Sequence, residues 1–559
     1  MRASRRTAVV AVAVAVLALS ACAPALPPSV VPDSTVTVGW AGPVTSLNAR
    51  VDPTPGNHDI AAVTRSSFGR VVDGEVVPDE SFGTVRILHE DPFTVRYDLA
   101  EPSWSDGIPL DAADLVLGWA ASVGLLSEDG PSDAALAAPR PRIDEFARSI
   151  DVTFAAPTIA WQTAVSADAP AHTVGMRAFD LDDPMEAKQA VIRAVLERDA
   201  GALAAIAEVW NTDFTVSGDT VDADLALSSG PYVVADIEDE GASVTLAPNP
   251  AYTGAAAPKF ADIELVPRGD DPVAAVGESL DIVSLSPTPD DREAVRQRER
   301  RDFVVQTTHD GTIWTLLLSP DGIFTERAAR AAFLRVVPAD EMVAAGAGEW
   351  AQVYPKTTSM VTAPGSRAFD VVTEDSGFAE ALGTPADDAA LDRTAAGVRD
   401  DARVCVLYDS RNGFAKGAFG ALKTAAAEAG WDVVDCATDD LDAAVKAPGW
   451  DAVIRRVRVP QTPRAIAQQW GTDGSSSLVG QADPARDELI STLQQTVDVY
   501  AARDLLARIE STIVQAAVAR PLAAVPRVTI VAPDVTGVTV RDGDDAPLLS
   551  DVAGWTPAG

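Results

Sequence analysis

Apolar and polar positions alternate with period two in some segments and with helical period in others, and each change of period marks an element boundary. Residues 36–40 read as a short strand ending in a Gly/Pro loop. Residues 71–78 place Asp73-Gly74 between valines, the pattern of a tight hairpin turn. Residues 84–88 and 94–99 predict two more strands. Residues 111–123 switch to helical spacing, with Asp111 as the cap and Leu115, Val116, Trp119 and Ala120 on one stripe. Residues 184–209 predict an Ala-rich helix broken near Gly201, and 233–246 a hairpin around Asp239-Glu240-Gly241.

The texture changes near residue 305. Residues 312–318 are almost continuously apolar, which predicts a central strand buried on both faces. Residues 325–336 predict a helix. Residues 403–409, 415–429 and 431–436 predict strand, helix and strand, with Gly430 closing the helix. Residues 451–459 predict a further strand. This is α/β wiring, with parallel neighbours joined by crossovers. Residues 487–519 read as one long helical region before β texture returns over 521–540. The acidic, Gly/Pro-interrupted stretch 370–392 reads as a surface connection.

The N-terminus carries the strongest single signal. Arg2, Arg5 and Arg6 precede an apolar run at 8–19. A bilayer-spanning helix needs about 20 residues, so this run has the length of a signal-peptide core. Leu19-Ser20-Ala21-Cys22 follows and resembles a bacterial lipobox, which favours lipidation at Cys22 over ordinary secretory cleavage. Pro24, Pro27, Pro28 and Pro32 then predict an extended tether. The expectation is a folded body on the extracytoplasmic face of the cell membrane, held by its lipidated end.

Composition narrows the function. The 559 residues suggest several domain-sized units. Asp+Glu number 82 against Lys+Arg 44, a net charge of −38 that repels phosphate backbones and argues against nucleic acid as a partner. The three cysteines and four histidines are scattered, with no metal-binding spacing, so no metal or cofactor is expected. No nucleophile elbow, phosphate-cradling glycine loop or other catalytic constellation occurs, which points away from an enzyme.

Several motifs occur in a telling order. Pro43-Val44-Thr45-Ser46-Leu47-Asn48 follows the first strand. Trp104-Ser105-Asp106-Gly107 leads into the helix capped by Asp111. Ser229-Gly230-Pro231-Tyr232 and Asn249-Pro250-Ala251-Tyr252 follow, then Phe324-Thr325-Glu326-Arg327 opening a helix. Together, behind a lipobox, they resemble the extracellular solute-binding proteins of family 5, the peptide/nickel type of ABC importers, over essentially the whole mature chain. The resemblance implies an α/β, two-lobe periplasmic-binding-protein-like fold (type II) with an extra subdomain on the first lobe. It implies a signal peptide at 1–21, a tether at 22–35, lobe I at 36–72, its subdomain at 73–224, lobe I again at 225–304, lobe II at 305–510, and a return to lobe I at 511–559.

Each singled-out residue has a structural reading beside the functional one. Trp104, Asp106 and Gly107 read as fold-setting. Asn48 is a cleft contact or a turn residue. Trp314, Tyr408 and Trp470 are cleft aromatics or core. Peptide-binding members carry an Asp shortly after the strand at 451–459, where it pairs with the peptide's ammonium group. Here the stretch reads Val459-Pro460-Gln461-Thr462-Pro463, and Arg455, Arg456 and Arg458 precede it. Alternation puts Arg456 and Arg458 on one face and Arg455 on the other. They either pair an anionic ligand bidentately or form a solvated basic edge or internal salt bridge. Cys405 and Cys436 lie on adjacent predicted strands. A disulfide between them stays open, since Cys405 is early in its strand and Cys436 late, and unstaggered strands exceed the roughly 7 Å that a disulfide tolerates.

The expected function is a lipid-anchored, monomeric substrate-binding protein of an ABC importer. It captures a peptide or other small solute in the inter-lobe cleft and delivers it to membrane permease subunits. The alternative is an envelope lipoprotein using the same fold for signalling or cell-wall assembly.

Overall fold

The apolar run at 312–318 is the second half of a 15-residue strand, Val304–Leu318. With its antiparallel partner Ala519–Val531 it joins the two ends of one ten-stranded sheet. The computed structural model describes residues 26–558 except 73–74, 145, 220–221, 384–387 and 544–547. The signal segment, Cys22 and the Asp73-Gly74 turn therefore lie outside the described residues.

From one edge, the sheet runs Trp431–Asp435, Ala402–Leu407, Ala452–Arg458, Val304–Leu318, Ala519–Val531, Ile282–Leu285, Val31–Trp40, Phe260–Pro267, Ser243–Pro248 and Tyr232–Glu238. The strand Val304–Leu318 is buried on both faces. Trp314, Leu316 and Leu318 enter one core, while Ile313 and Leu317 enter another. Strand alternation between two apolar faces is what made the sequence look continuously apolar. The far end of the sheet has its own core around Val36, Val38, Trp40 and Trp555. There Val31–Trp40 pairs in parallel with both Phe260–Pro267 and Ile282–Leu285.

The ladder between the two long strands breaks between His309 and Ile313. Gly311 sits there at φ +77°, a left-handed conformation that suits glycine. Asp310 accepts from the Thr312 N–H at 2.9 Å and its hydroxyl at 2.6 Å, and so closes a tight turn inside the strand. This irregularity lies where the two halves of the sheet meet.

A separate four-stranded sheet (Gly83–Glu90, Phe93–Leu99, Ser149–Thr153, Arg142–Ile143) packs with the helices Ala112–Ser122, Ala171–Phe179, Pro184–Glu197 and Ala200–Glu208. The Trp104-Ser105-Asp106-Gly107 motif sets this unit. The Trp104 ring is fully buried and its Nε1–H donates to Asp114 at 3.1 Å. Asp106 takes the Ile108 N–H at 3.0 Å and bonds His172 at 2.9 Å. Asp111 and Asp114 form a capping box and share buried Lys188 at 3.1 and 3.4 Å. Gly230 is equally constrained, since an added Cβ would sit 2.3 Å from the Val63 carbonyl oxygen.

Several expectations are corrected. The region 487–519 is two helices, Pro484–Gln494 and Val499–Ala516, with Asp498 capping the second. The break in the Ala-rich stretch falls at Arg198, which is left-handed, and not at Gly201 inside the second helix. The connection at 370–392 holds the helices Phe369–Asp375 and Ala389–Ala395. Cys405 and Cys436 are disulfide-bonded with Cα atoms 5.7 Å apart. The neighbouring strand ends at Asp435, so Cys436 leaves the ladder and the assumption of unstaggered, extended strands does not apply to it.

Candidate functional site

A cavity of about 1230 Å³ lies where the two halves of the molecule face each other. One wall comes from the helix Pro55–Thr64, the paired strands Gly69–Val72 and Glu75–Pro78, the loop around Tyr252, and the C-terminal segment. The opposing wall is His309, Ala363, Pro364, Ser366 and Gln461. The chain as a whole carries nearly twice as many acids as bases, yet the wall carries four of each: Arg65, Arg70, Lys259 and Arg541 against Asp79, Glu80, Asp542 and Asp551.

His309 ties the walls together beside the strand irregularity. Its N–H donates to Asp542 Oδ1 at 2.9 Å and its carbonyl accepts from the Gly543 N–H at 3.0 Å. Its Nδ1 accepts from the Gly311 N–H at 3.2 Å, so Nε2 carries the proton and donates to the Pro364 carbonyl at 2.8 Å. Arg65 is held below its ordinary range, at about 10, because burial disfavours its charge. Its guanidinium donates to the carbonyls of Asp168 and Leu227, both at 2.7 Å.

A second bridge joins the two halves. Glu75 accepts from Arg503 at 2.6 Å and from Arg367. Arg503 lies on the helix Val499–Ala516 and Arg367 just ahead of the helix Phe369–Asp375, both beside the core containing Trp470. One carboxylate, on the strand whose residues Val77 and Pro78 line the first wall, is thus clasped by two guanidiniums from the other half.

The loop carrying Ala363 and Pro364 is fixed from behind by Glu510. This buried carboxyl accepts from the Ser359 hydroxyl at 2.6 Å and from the Met360 and Val361 N–H groups at 2.9 and 3.0 Å. Burial outweighs these bonds and pushes Glu510 up to about 7 from an ordinary 4.5. Asp59, on the helix of the first wall, is pushed up to about 7 by burial as well. The folded state therefore holds these protons where the unfolded chain has released them. Their contribution to stability is full below the unfolded value and is lost as pH rises through about 7. Glu510→Gln keeps an acceptor and cannot ionise. Its melting temperature is expected to gain on the wild type steadily between about pH 5 and pH 8. A pH-independent difference between the two contradicts this.

The residues singled out in the sequence lie elsewhere. Asn48 is buried, donating to the Trp210 carbonyl at 3.1 Å. Trp314 stacks on Phe414 at 4.4 Å and Tyr408 on Phe419 at 4.9 Å, both inside the core. Trp470 is buried beneath Arg486. Arg456 pairs with Asp310 and bonds Thr312, fixing the turn inside the long strand. Arg455 lies 3.8 Å from Asp442, and Arg458 is exposed at the end of its strand. None of these seven is on the cavity wall. What the sequence reading passed over is a different set of cations, Arg70, Lys259 and Arg541, each in a short loop or strand end. The charged Arg541-Asp542-Gly543 stretch was the visible signal.

Comparison with known proteins places this architecture. The model of the bacterial extracellular solute-binding proteins, family 5, matches residues 89–434. An uncharacterized lipoprotein of Mycobacterium tuberculosis (strain ATCC 25618 / H37Rv) is 28% identical over 394 residues, 68% of this chain. The match spans only 66% of that relative's own length. Among solved structures, the periplasmic EDTA-binding protein EppA superposes with a TM-score of 0.77 at 18% identity, covering 96% of this chain and 98% of its own. The ABC transporter substrate-binding protein CtaP of Listeria monocytogenes gives a TM-score of 0.71 at 15% identity, covering 94% and 99%. These likenesses show a shared two-lobe α/β fold. The chain belongs to the bacterial extracellular solute-binding proteins, family 5.

Proposed function

We propose that the protein is the lipid-anchored substrate-binding component of an ABC importer, capturing a peptide or other small solute between its lobes and handing it to a membrane permease. The observation that carries this is the cavity: its two walls come from opposite halves of the sheet and meet through a strand irregularity at residues 310–312. Hinge closure around a solute needs that arrangement. At about 1230 Å³ the space exceeds the roughly 300–1,000 Å³ of drug-sized sites, which suits an oligopeptide or a similarly extended solute. The likeness to CtaP, an ABC transporter substrate-binding protein, and to EppA, an EDTA-binding protein, supports solute capture. With no acid in the stretch 459–463, after the strand where peptide-binding members carry one, a peptide's ammonium group would be met by the wall carboxylates Asp79, Glu80 or Asp542.

The test is retention. The chain purified without detergent-extracted lipid, incubated with a peptide-rich medium and desalted, is expected to carry a bound solute in native mass spectrometry. A chain that stays empty with every solute pool contradicts the proposal. The anchor is tested separately: Cys22→Ser is expected to move the protein from the membrane to the soluble fraction, and unchanged membrane association overturns it.

A further inference from the structure

Two arginines far apart in sequence converge on a single carboxylate oxygen in the cavity wall. Arg70 Nη1 lies 2.8 Å and Arg541 Nη2 2.7 Å from Asp551 Oδ1. The other oxygen, Oδ2, has only the Thr539 hydroxyl, at 3.5 Å. Lys259, on the same wall, bonds the Gly554 carbonyl at 3.4 Å and the Thr556 hydroxyl at 3.2 Å, three and five residues beyond Asp551. Two guanidiniums thus share one carboxylate, and a third cation is bonded to the stretch just beyond it, in a chain whose net charge is −38. Among the described residues none of the remaining wall acids pairs with these three cations: the Asp79 carboxylate takes the Ser81 N–H and hydroxyl, Asp542 takes the His309 N–H, and Glu80 is exposed.

A guanidinium has five N–H donors, and a single shared oxygen uses one from each arginine. Asp551 holds the two forks side by side and cancels one of their charges. The order it imposes is paid before any ligand arrives, which is the condition for bidentate recognition of an oxyanion. Lys259 adds a point charge to the same end of the cavity.

We propose that the cluster Arg70, Arg541 and Lys259, organised by Asp551, is the anion-recognising subsite of the cavity, and that the captured solute presents a carboxylate or phosphate to it. This rests on the solute-capture function proposed above and names the chemistry at one end of the ligand. Arginines on the strand Ala452–Arg458 take no part in it.

The test is calorimetric titration of the full chain with three defined pools: free-acid tripeptides, the same tripeptides as C-terminal amides, and sugar phosphates. The wild type is expected to bind the free-acid or the sugar-phosphate pool at least about tenfold more tightly than the amides. Which of the two it prefers identifies the source of the oxyanion. Arg70→Gln with Arg541→Gln is expected to lose about tenfold or more on the preferred pool. Lys259→Gln, which leaves the arginine–aspartate cluster intact, is expected to lose at least about threefold. Raising salt from about 0.05 to 0.5 M is expected to weaken the wild type and to affect the double variant less. Amides bound as tightly as free acids, or an unchanged Lys259→Gln, overturns the subsite while solute capture stands. A wild type that binds no pool and retains no solute overturns both.

Discussion

Glu75→Lys is expected to weaken solute binding by about thirtyfold, roughly 2 kcal/mol, and to enlarge the radius of gyration of the solute-free protein. Glu75 begins the strand whose residues Val77 and Pro78 line the first wall of the cavity, and both of its partners stand on the other half. Arg367 is 63% exposed and adds little by itself. Arg503 and Glu75 are only 21% and 26% exposed, so this pair is less screened and carries most of the clasp. A lysine at 75 replaces two attractions by two repulsions between the halves. The closed population falls, and apparent affinity falls with it. The double variant Glu75→Lys, Arg503→Glu restores one attraction and is expected to recover most of the loss, as a thermodynamic cycle reads it. Affinity within about twofold of wild type for Glu75→Lys contradicts the clasp.

Breaking the disulfide has the second large effect. Cys405 and Cys436 are 31 residues apart in sequence. Closing a loop of that length restricts the unfolded chain by roughly 3–4 kcal/mol. The bond also fastens Trp431–Asp435, the strand at the sheet's edge, to its only strand neighbour, Ala402–Leu407. Cys405→Ser with Cys436→Ser is expected to lower the melting temperature by roughly 5–10 °C. A reductant should reproduce the drop in the wild type and leave the variant unmoved. Melting within about 1 °C of wild type contradicts this contribution.

Much of the fold was legible because periodicity reports burial. The apolar run at 312–318 and the strand–helix–strand at 403–436 announced a buried α/β sheet, and the Trp104 motif announced the turn that sets the small unit. Strand partners were not legible. Val31–Trp40 pairs with Phe260–Pro267 more than two hundred residues away, and period alone carries no information on pairing at that range. The site was the least legible part. Its walls are pieces from seven separated stretches, most of them too short to show a period. Trp314, on a strand segment buried on both faces, and Tyr408, just past the end of the strand Ala402–Leu407, each fill core with a large ring. The arginine run at 455–458 showed its alternation clearly: Arg456 and Arg458 are exposed and Arg455 is half-buried. What alternation does not reveal is which faces border the cavity, and Arg456 is spent on Asp310. Arg70, Lys259 and Arg541 become a cluster only when the C-terminal segment packs against Arg70 and Lys259.

The central claim is that the lobes close on a captured solute. Small-angle X-ray scattering tests it most directly, on the wild type stripped of ligand and again after the retained solute is added back. The account predicts a smaller radius of gyration with solute, and a Glu75→Lys protein that stays expanded at solute concentrations that compact the wild type. A radius of gyration that does not respond to a solute the protein demonstrably binds contradicts it.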